Sequence, residues 1–192
     1  MKKIIGITGG ISSGKSTVTK YLINKGYYVI DADKISKMIT EPGNLGNKLI
    51  SIHFGASYFN GDILDRKKLG DLIFHNPKKR KELDEILHPI IKKEIISEIE
   101  ERDEDIIFLD IPLLFEAHFD DLCDSIILVY INKDIQIKRL MERDNISYDM
   151  AILKIDSQMS LEEKKKKSDY IINNNSDLIN LYKEIDNILE RI

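Results

Sequence analysis

Five short, largely apolar runs alternate with helical patterns along this chain. The runs at residues 3–8, 27–33, 105–110, 125–131 and 170–172 predict β-strands. Apolar residues are nearly continuous within these runs, which is typical of strands that are covered on both faces. Their alternation with helices predicts an α/β fold in which a parallel sheet lies between two layers of helices.

A long stretch of helical patterns, residues 38–101, separates the second and third predicted strands. It includes the longest predicted helix, residues 77–101, in which Pro89 predicts a kink or break near His88. No convincing strand is predicted within this insert. In a compact α/β core an insert of this length is often where a second substrate binds, so we expect substrate binding here. A purely structural insert is the alternative.

Composition narrows the class of protein. The chain has 192 residues, of which 42% are apolar and 32% charged, and its net charge is −4. These values predict one domain with a substantial core and argue against broad nucleic-acid binding. No apolar run reaches about 18 residues and no signal-peptide pattern is present, so we expect a cytoplasmic protein without a membrane span.

Two further features are expected to be structural only. The single cysteine, Cys123, excludes an internal disulfide and is expected to be a small buried hydrophobic residue. The run of four lysines at residues 164–167 is expected to form a solvated helix face.

A phosphate-binding loop is predicted between the first strand and the helix that follows it. Gly9 is followed after four residues by Gly14, Lys15 and Ser16, which is the spacing of that motif. Glycines let consecutive backbone N–H groups turn towards an anion, and the helix N-terminus adds partial positive charge. Lys15 is expected to contact the β- and γ-phosphates, and the Ser16 hydroxyl to bind Mg²⁺. The remaining expected nucleotide contacts in the loop are Ser12, Ser13 and Thr17.

A nucleoside triphosphate site is compatible with a small-molecule kinase, a GTP-dependent switch or an ATPase that performs mechanical work. A GTPase usually reads guanine through Asn-Lys-x-Asp, whereas here Asp134 follows Asn132 and Lys133 directly. The third strand ends in Asp110-Ile111-Pro112 and not in the Asp-x-x-Gly of a switch. Both departures favour a kinase. A regulator that binds nucleotide without transferring phosphate remains the rival class.

Besides a phosphate-binding loop, a kinase site needs acidic side chains for the acceptor hydroxyl and the metal ion, and acidic residues at the predicted strand ends are candidates. Asp31 and Asp33 end the second predicted strand, where alternation would place both on one side, and ligands of doubly wound sheets gather at that edge. Asp33 is the better candidate for the base that accepts the acceptor hydroxyl proton, whereas Asp31 could equally cap a helix. Asp110 could hold Mg²⁺ through water, or could be a capping acid.

Two arginines are candidates for neutralising the transferred phosphoryl group. Arg139 and Arg143 lie four residues apart in a predicted helix and therefore share one face. Guanidinium groups in that arrangement can close over a phosphate. The alternative is a pair of surface ion pairs with Glu142 and Asp144.

Taken together, these residues resemble the dephospho-CoA kinase family over nearly the whole chain. The stretches that carry the resemblance are ITGGISSGKST at 7–17, VIDADKI at 29–35, EPG at 41–43, LDRKKLGDLIF at 64–74, LHP at 87–89, DIPLLFE at 110–116, RLMERD at 139–144 and SQMSLEEKKKKSDYIINN at 157–174. The chain departs from the family pattern at Lys154, where members often have arginine, and at Asn175-Ser176, where they often have Ser-Gly.

The resemblance implies a single P-loop kinase domain over residues 1–192, with a five-stranded parallel sheet in the order 2-3-1-4-5. It implies a helical CoA-binding insert at about 38–101 and a lid at about 136–160. The implied reaction is ATP-dependent phosphorylation of the ribose 3′-hydroxyl of dephospho-CoA, with Mg²⁺. We expect a monomer, with a weak oligomer as the alternative, and neither a nucleic-acid nor a membrane partner.

The resemblance also assigns roles to residues. It makes Asp33 the base and Arg139 and Arg143 the lid arginines, so that with Lys15 these form the catalytic set. Arg66 and His88 would lie near the CoA side, and Asn174 would contact the adenine side of ATP.

Overall fold

The computed structural model, which describes residues 2–192, contains a five-stranded parallel sheet. Its strands are β1 (Lys3–Gly9), β2 (Tyr28–Asp31), β5 (Ile106–Asp110), β6 (Ser125–Tyr130) and β7 (Tyr170–Asn173). They are ordered β2-β5-β1-β6-β7. Counted along the chain within this sheet, that is 2-3-1-4-5, so the predicted fold class and strand order are confirmed.

Nine α-helices occur within the described residues. They are α1 (Lys15–Asn24), α2 (Ala32–Ile39), α3 (Leu45–Phe54), α4 (Arg66–His75), α5 (Pro77–Glu100), α6 (Lys133–Asp144), α7 (Tyr148–Asp156), α8 (Leu161–Lys167) and α9 (Leu178–Leu189). Short 3₁₀ turns occur at Ala56–Tyr58 and Asp120–Leu122. Over residues 2–192, no helix is long and apolar enough to cross a membrane.

β1 is buried in the middle of the sheet. Lys3 of β1 lies opposite Ile106 of β5, and Ile5 lies opposite Ser125 of β6. Ile5 and Ile7 are completely buried, in a cluster that includes residues of α1 and α9. This burial explains the continuous apolar run in the sequence, and it fixes the end of β1, from which the phosphate-binding loop continues.

The contacts divide the chain into two compact units. The first unit comprises the residues up to Ile30 together with Glu104–Ile192, and it contains the phosphate-binding loop. The second unit is the continuous segment Asp31–Asp103. In the second unit α5 packs against α2, α3 and α4.

The second unit also contains a small antiparallel hairpin, β3 (Phe59–Asn60) and β4 (Ile63–Leu64). The expectation that this region lacks strands was therefore wrong. Each strand has only two residues, too few to produce a recognisable period. The Gly61-Asp62 pair was the available signal, because these two residues form the turn that joins the strands and Gly61 has φ of 63°.

Of the kink or break predicted near His88, the break does not occur, since α5 is continuous from Pro77 to Glu100, and the kink stays a prediction. Pro77 occupies the first turn, as proline at a helix start commonly does. A buried stripe of residues four apart runs the length of α5: Leu83, Leu87, Ile91 and Ile95. Packing of this stripe outweighs the lost backbone hydrogen bond, and Pro89 itself is on the exposed side.

Candidate active site

The loop between β1 and α1 has the curled backbone that a phosphate-binding loop requires. Gly14 precedes α1 with φ of 91°, and Ser12 also has a positive φ of 58°. The Ser13 N–H donates to the Gly10 carbonyl at 3.0 Å, which closes the turn. A Cβ atom on Gly14 would lie 2.1 Å from Nδ2 of Asn174, so both conformation and space require glycine here.

Two hydroxyl groups in the loop are buried without a hydrogen-bond partner among the described residues. They are Oγ of Ser12 and Oγ of Ser13. A buried hydroxyl without a partner costs free energy, so such groups mark a place where a ligand supplies the missing bond. The neighbouring Ser16, by contrast, is exposed at the start of α1.

Lys15 forms an ion pair with the carboxylate of Asp110. Asp110 ends β5 and is buried, and its other oxygen accepts from the Thr19 hydroxyl at 2.8 Å. Both oxygens of this acid therefore have protein partners. The arrangement holds the ammonium group beside the loop, where a phosphate can compete for it.

A cavity of about 450 Å³ opens at the loop. Its lining brings together most of the nucleotide contacts expected from the sequence with the two predicted arginines: Ser12, Gly14, Ser16, Thr17, Arg139, Arg143 and Asn174. The side chain of Arg139 reaches to 3.9 Å from the position of a Cβ on Gly14. One wall of the cavity is therefore the phosphate-binding loop and another is α6.

Arg143 takes part in a charge cluster at the end of α6. Its Nε donates to Oδ1 of Asp144 at 2.7 Å, and Nζ of Lys154 lies 2.9 Å from Oδ2 of the same acid. Hydrogen bonds from Arg143 and Lys154 hold the pKa of Asp144 well below its usual range. Arg143 thus lines the cavity, as a phosphate-binding role requires. It also makes the ion pair with Asp144 that was the alternative to that role.

Asn174 is placed by β7, whose last residue precedes it. Its Nδ2 donates to the Ser13 carbonyl at 2.8 Å, and the side chain is buried. The amide therefore holds the loop through the backbone of Ser13. The predicted contact of Asn174 with adenine stays a prediction.

The predicted placement of Asp31 and Asp33 on one side of a strand was wrong. β2 ends at Asp31, and Asp33 already lies in the first turn of α2. The Asp31 carboxylate accepts from the N–H groups of Asp33 and Lys34 at 3.0 and 3.1 Å. Asp31 therefore caps α2, which was one of the two roles predicted for it. Its carboxylate oxygen accepts from N–H groups that have no partner within the helix.

Arg66 and His88, both expected near the CoA side, lie in the second unit. Nη2 of Arg66 donates to the Lys37 carbonyl at 3.0 Å and to Oγ1 of Thr40 at 2.7 Å, at the end of α2. Nε2 of His88 lies 3.6 Å from Oδ1 of Asp84, one turn earlier in α5. Arg66 therefore has a structural role in joining α4 to α2.

The second unit has a cavity of its own, of about 520 Å³. Apolar side chains from α2, α3 and α5 supply much of its lining, among them Met38, Leu45 and Ile90, with Lys93 and Glu94 at one side. A cavity of this size and apolar character is typical of small-molecule sites.

The lysine run at residues 164–167 is not a uniformly solvated face, so that expectation was wrong for its first member. Lys164 is completely buried, while the next three lysines are exposed. Nζ of Lys164 donates to the Pro112 carbonyl at 2.8 Å and lies 3.0 Å from Oε1 of Glu116. Burial lowers the pKa of Lys164, and the Glu116 carboxylate opposes this shift. The spacing of three from the buried Leu161 was the available signal.

Comparison with known proteins identifies the family. The family model for dephospho-CoA kinase matches residues 3–180. The dephospho-CoA kinase of Listeria monocytogenes is 42% identical, over 100% of this chain and 98% of the relative. That of Fusobacterium nucleatum is 45% identical, over 98% of each.

Solved structures agree with the sequence comparison. The dephospho-CoA kinase from Campylobacter jejuni superposes with a TM-score of 0.74 at 32% identity, covering 100% of this chain and 97% of that chain. The Thermus thermophilus protein TT1252 gives a TM-score of 0.86 at 30% identity, covering 100% and 98%. A shikimate kinase from Bacteroides thetaiotaomicron, at 14% identity and a TM-score of 0.51, shares the fold alone. This chain belongs to the dephospho-CoA kinase family.

Proposed function

We propose that this protein transfers the γ-phosphoryl group of ATP to the ribose 3′-hydroxyl of dephospho-CoA, which yields coenzyme A and ADP. One observation carries the proposal within this family. The curled loop with its unpartnered Ser12 hydroxyl and two arginines line one cavity, and the same loop carries Ser13 and Lys15. Such a concentration of N–H, hydroxyl and cationic groups suits the triphosphate of a donor nucleotide.

On the donor side, the triphosphate takes over the contacts that the loop leaves open. Lys15 exchanges its Asp110 partner for the phosphates, and the hydroxyls of Ser12 and Ser13 gain their missing partners. Arg139 and Arg143 neutralise charge on the transferring group. Residues of about 136–160, which include both arginines, act as a lid that excludes water when ATP is bound.

Mg²⁺ fits the residues at this end of the cavity. No cluster of three or more metal-binding side chains occurs in the part of the chain that the structure describes. Mg²⁺ commonly takes one or two protein oxygens and completes its shell with phosphate oxygens and water. The exposed Ser16 hydroxyl is the direct ligand in this proposal, and Asp110 acts through water. The ion would offset negative charge between the β- and γ-phosphates.

On the acceptor side, Asp33 orients the 3′-hydroxyl and accepts its proton. The new bond joins the 3′-oxygen to the γ-phosphorus, while the bond from γ-phosphorus to the β–γ bridging oxygen breaks and leaves ADP. The insert of residues 38–101, with Arg66 and His88, binds dephospho-CoA. In this proposal the insert is part of a single kinase domain. We also propose that the protein is a monomer and that it acts in the cytoplasm, where ATP is supplied.

Mass spectrometry of the purified protein with ATP, Mg²⁺ and dephospho-CoA tests the proposal. The expected product is heavier than dephospho-CoA by one phosphoryl group. Asp33→Asn should lower kcat by about a hundredfold or more, because the general base is lost. Asp31→Asn is the matched control, since asparagine preserves the cap of α2 and kcat should stay within about twofold.

Three results would overturn parts of the proposal. Near-parental turnover by folded Asp33→Asn would refute the assignment of the base. Phosphorylation of a nucleoside, a nucleotide or a small hydroxy acid in place of dephospho-CoA would refute the acceptor. Tight ATP binding without any phosphorylated acceptor would indicate a nucleotide-binding regulator.

A further inference from the structure

Two glutamine side chains hold the backbone of Ile11, in the middle of the phosphate-binding loop. The Ile11 N–H donates to Oε1 of Gln158 at 2.9 Å. Nε2 of Gln136 donates to the Ile11 carbonyl at 2.8 Å. Both polar groups of this one residue are therefore bonded to side chains that are more than a hundred residues away in the sequence.

The two glutamines belong to the part of the chain that also carries the arginines. Gln136 lies in α6 and is only 3% exposed, and Gln158 follows α7 by two residues. The side chain of Ile11 packs against a buried cluster formed by Ile137, Leu140 and Ala151 of the same two helices. The loop is thus attached to α6 and α7 through both its backbone and its side chain.

These bonds determine which way the loop's N–H groups face. In a trans peptide unit the C=O and the following N–H point in opposite directions. When Gln136 binds the Ile11 carbonyl, it directs the Ser12 N–H to the other side of the loop. Asn174 does the same for the Gly14 N–H, because it binds the Ser13 carbonyl at 2.8 Å.

Holding the loop in this form has a cost that the glutamines offset. Ser12 lies in the left-handed region with φ of 58°, which a non-glycine residue adopts only when its surroundings enforce it. A Cβ atom at Gly10 would lie 2.6 Å from Nε2 of Gln136, so the amide packs directly on the loop backbone. Preorganised N–H groups bind an anion without first paying to order the chain.

We propose that Gln136 and Gln158 are positioning residues that hold the phosphate-binding loop in its nucleotide-binding form and join it to the α6–α7 pair. The proposal rests on ATP binding at this loop, as in the proposed function. Arg139 and Arg143 lie on α6, so the bond from Gln136 also attaches to the loop the helix that carries both arginines.

The opposite polarity of the two hydrogen bonds provides a sharp test. Gln158 accepts a proton, so Gln158→Glu keeps an acceptor for the Ile11 N–H. Gln136 donates a proton, so Gln136→Glu places a carboxylate against the Ile11 carbonyl. Both substitutions add the same charge, and a difference between them reports the direction of the hydrogen bond. We expect Gln136→Glu to bind ADP about tenfold or more weakly than Gln158→Glu, from the loss of one bond and the repulsion that replaces it.

Neutral variants keep the test valid where a buried carboxylate prevents folding. Gln136→Met preserves the length of the side chain and removes the donor, and Gln158→Leu removes the acceptor. Titration calorimetry with ADP, in the absence of dephospho-CoA, should show affinities lower by about fivefold to tenfold for each. Gln158→Glu keeps the hydrogen-bond acceptor that Gln158→Leu lacks. If Gln158 positions the loop, Gln158→Glu should therefore bind ADP more tightly than Gln158→Leu.

The outcomes separate positioning from a purely structural role. A loss of ADP affinity with the melting temperature of the nucleotide-free protein nearly unchanged supports the proposal. A lower melting temperature with parental ADP affinity overturns it, as do equal affinities for Gln136→Glu and Gln158→Glu. Because the readout is ADP binding, it stays informative even where dephospho-CoA proves not to be the acceptor.

Discussion

The ammonium group of Lys164 lies 3.0 Å from the carboxylate of Glu116, and the lysine side chain is completely buried. Oε1 of Glu116 also accepts from the Met159 N–H at 3.0 Å, whereas Oε2 is buried without a partner among residues 2–192. Lys164 further binds the Pro112 carbonyl, two residues beyond Asp110. The pair therefore joins α8 to the segment that leaves the active-site strand β5.

Lys164→Met should lower the free energy of unfolding by about 3 kcal/mol, because it leaves a largely buried carboxylate without its cation. Urea denaturation measures the effect. Lys166→Met, from the exposed part of the same run, is the control and should change stability by less than about 0.5 kcal/mol. Adding Glu116→Gln to Lys164→Met should recover part of the loss. Equal stabilities of the Lys164 and Lys166 variants would contradict the buried pair.

Gly14→Ala and Gly26→Ala form a second matched pair. Both glycines have a positive φ, of 91° and 92°. A Cβ on Gly14 would collide with Asn174, whereas nothing lies within 4 Å of a Cβ on Gly26. Gly26→Ala should cost only the backbone strain, about 1 kcal/mol, and should retain parental ADP affinity. Gly14→Ala should in addition lower ADP affinity by more than about tenfold, because the loop must shift.

Calorimetric titration with ADP and thermal melting of both glycine variants distinguish these effects. Parental ADP affinity in folded Gly14→Ala would show that the loop tolerates the displacement of Asn174. A comparable loss of affinity in Gly26→Ala would show that strain alone, and not the collision, weakens binding.

The thiol of Cys123 should be nearly inert in the folded protein. Burial, with added repulsion from Asp120, Asp124 and Asp121, raises the pKa of Cys123 to about 12. At pH 8 the thiolate fraction is then smaller than in the unfolded chain by a factor on the order of a thousand. Iodoacetamide should therefore label the native protein slower by about that factor than the protein in guanidinium chloride.

The same shift predicts the pH dependence of stability. Since the folded pKa lies above the unfolded one, the contribution of the neutral thiol is fully present below about pH 8.5. It declines as the pH rises from there towards 12. Cys123→Ser, which does not ionise in this range, should remove that part of the alkaline decline. Cys123 is half-buried and not fully buried as the sequence predicted, so rapid labelling of the native protein at pH 8 would contradict the raised pKa of the thiol.

Pro89→Ala should stabilise the protein. Pro89 lies on the exposed side of the continuous helix α5, where it removes a backbone hydrogen bond. Alanine restores that bond, so the free energy of unfolding should rise by about 1–2 kcal/mol, after allowance for the greater freedom of the unfolded chain. Lys78→Ala, an exposed substitution in the same helix, is the control. A loss of stability in Pro89→Ala would show that the helix is shaped around proline.

The phosphate-binding loop and the five strands follow from the sequence because each depends on local signals, whereas the order of the strands was implied only by the resemblance to the family. A glycine spacing determines the loop, and apolar runs determine the strands. The end of β2 was placed two residues too late because Asp31 is at once the last strand residue and the cap of α2. The pattern of β2 and the start signal of α2 overlap at these residues, so the sequence alone does not show where the strand ends and the helix begins.

The residues that support the loop were not predictable in the same way. Gln136 and Gln158 form hydrogen bonds to the backbone of Ile11. Because every residue except proline has the same backbone donor and acceptor, the sequence does not show which residue such a side chain will bind. Lys164 was hidden because three exposed lysines follow it. Only its position one helical turn after Leu161 sets it apart, and a helix of seven residues is too short for that period to be clear.

The interleaving of the two units along the chain imposes an order on biosynthesis. β1 emerges from the ribosome well before its partners in the sheet, β5 and β6, which begin only at Ile106 and Ser125. The segment Asp31–Asp103 forms its own contacts and is complete before either partner exists. Asn174, which fixes Ser13, emerges later still. The nascent chain therefore contains its nucleotide-binding motif long before the residues that complete the nucleotide site have been synthesised.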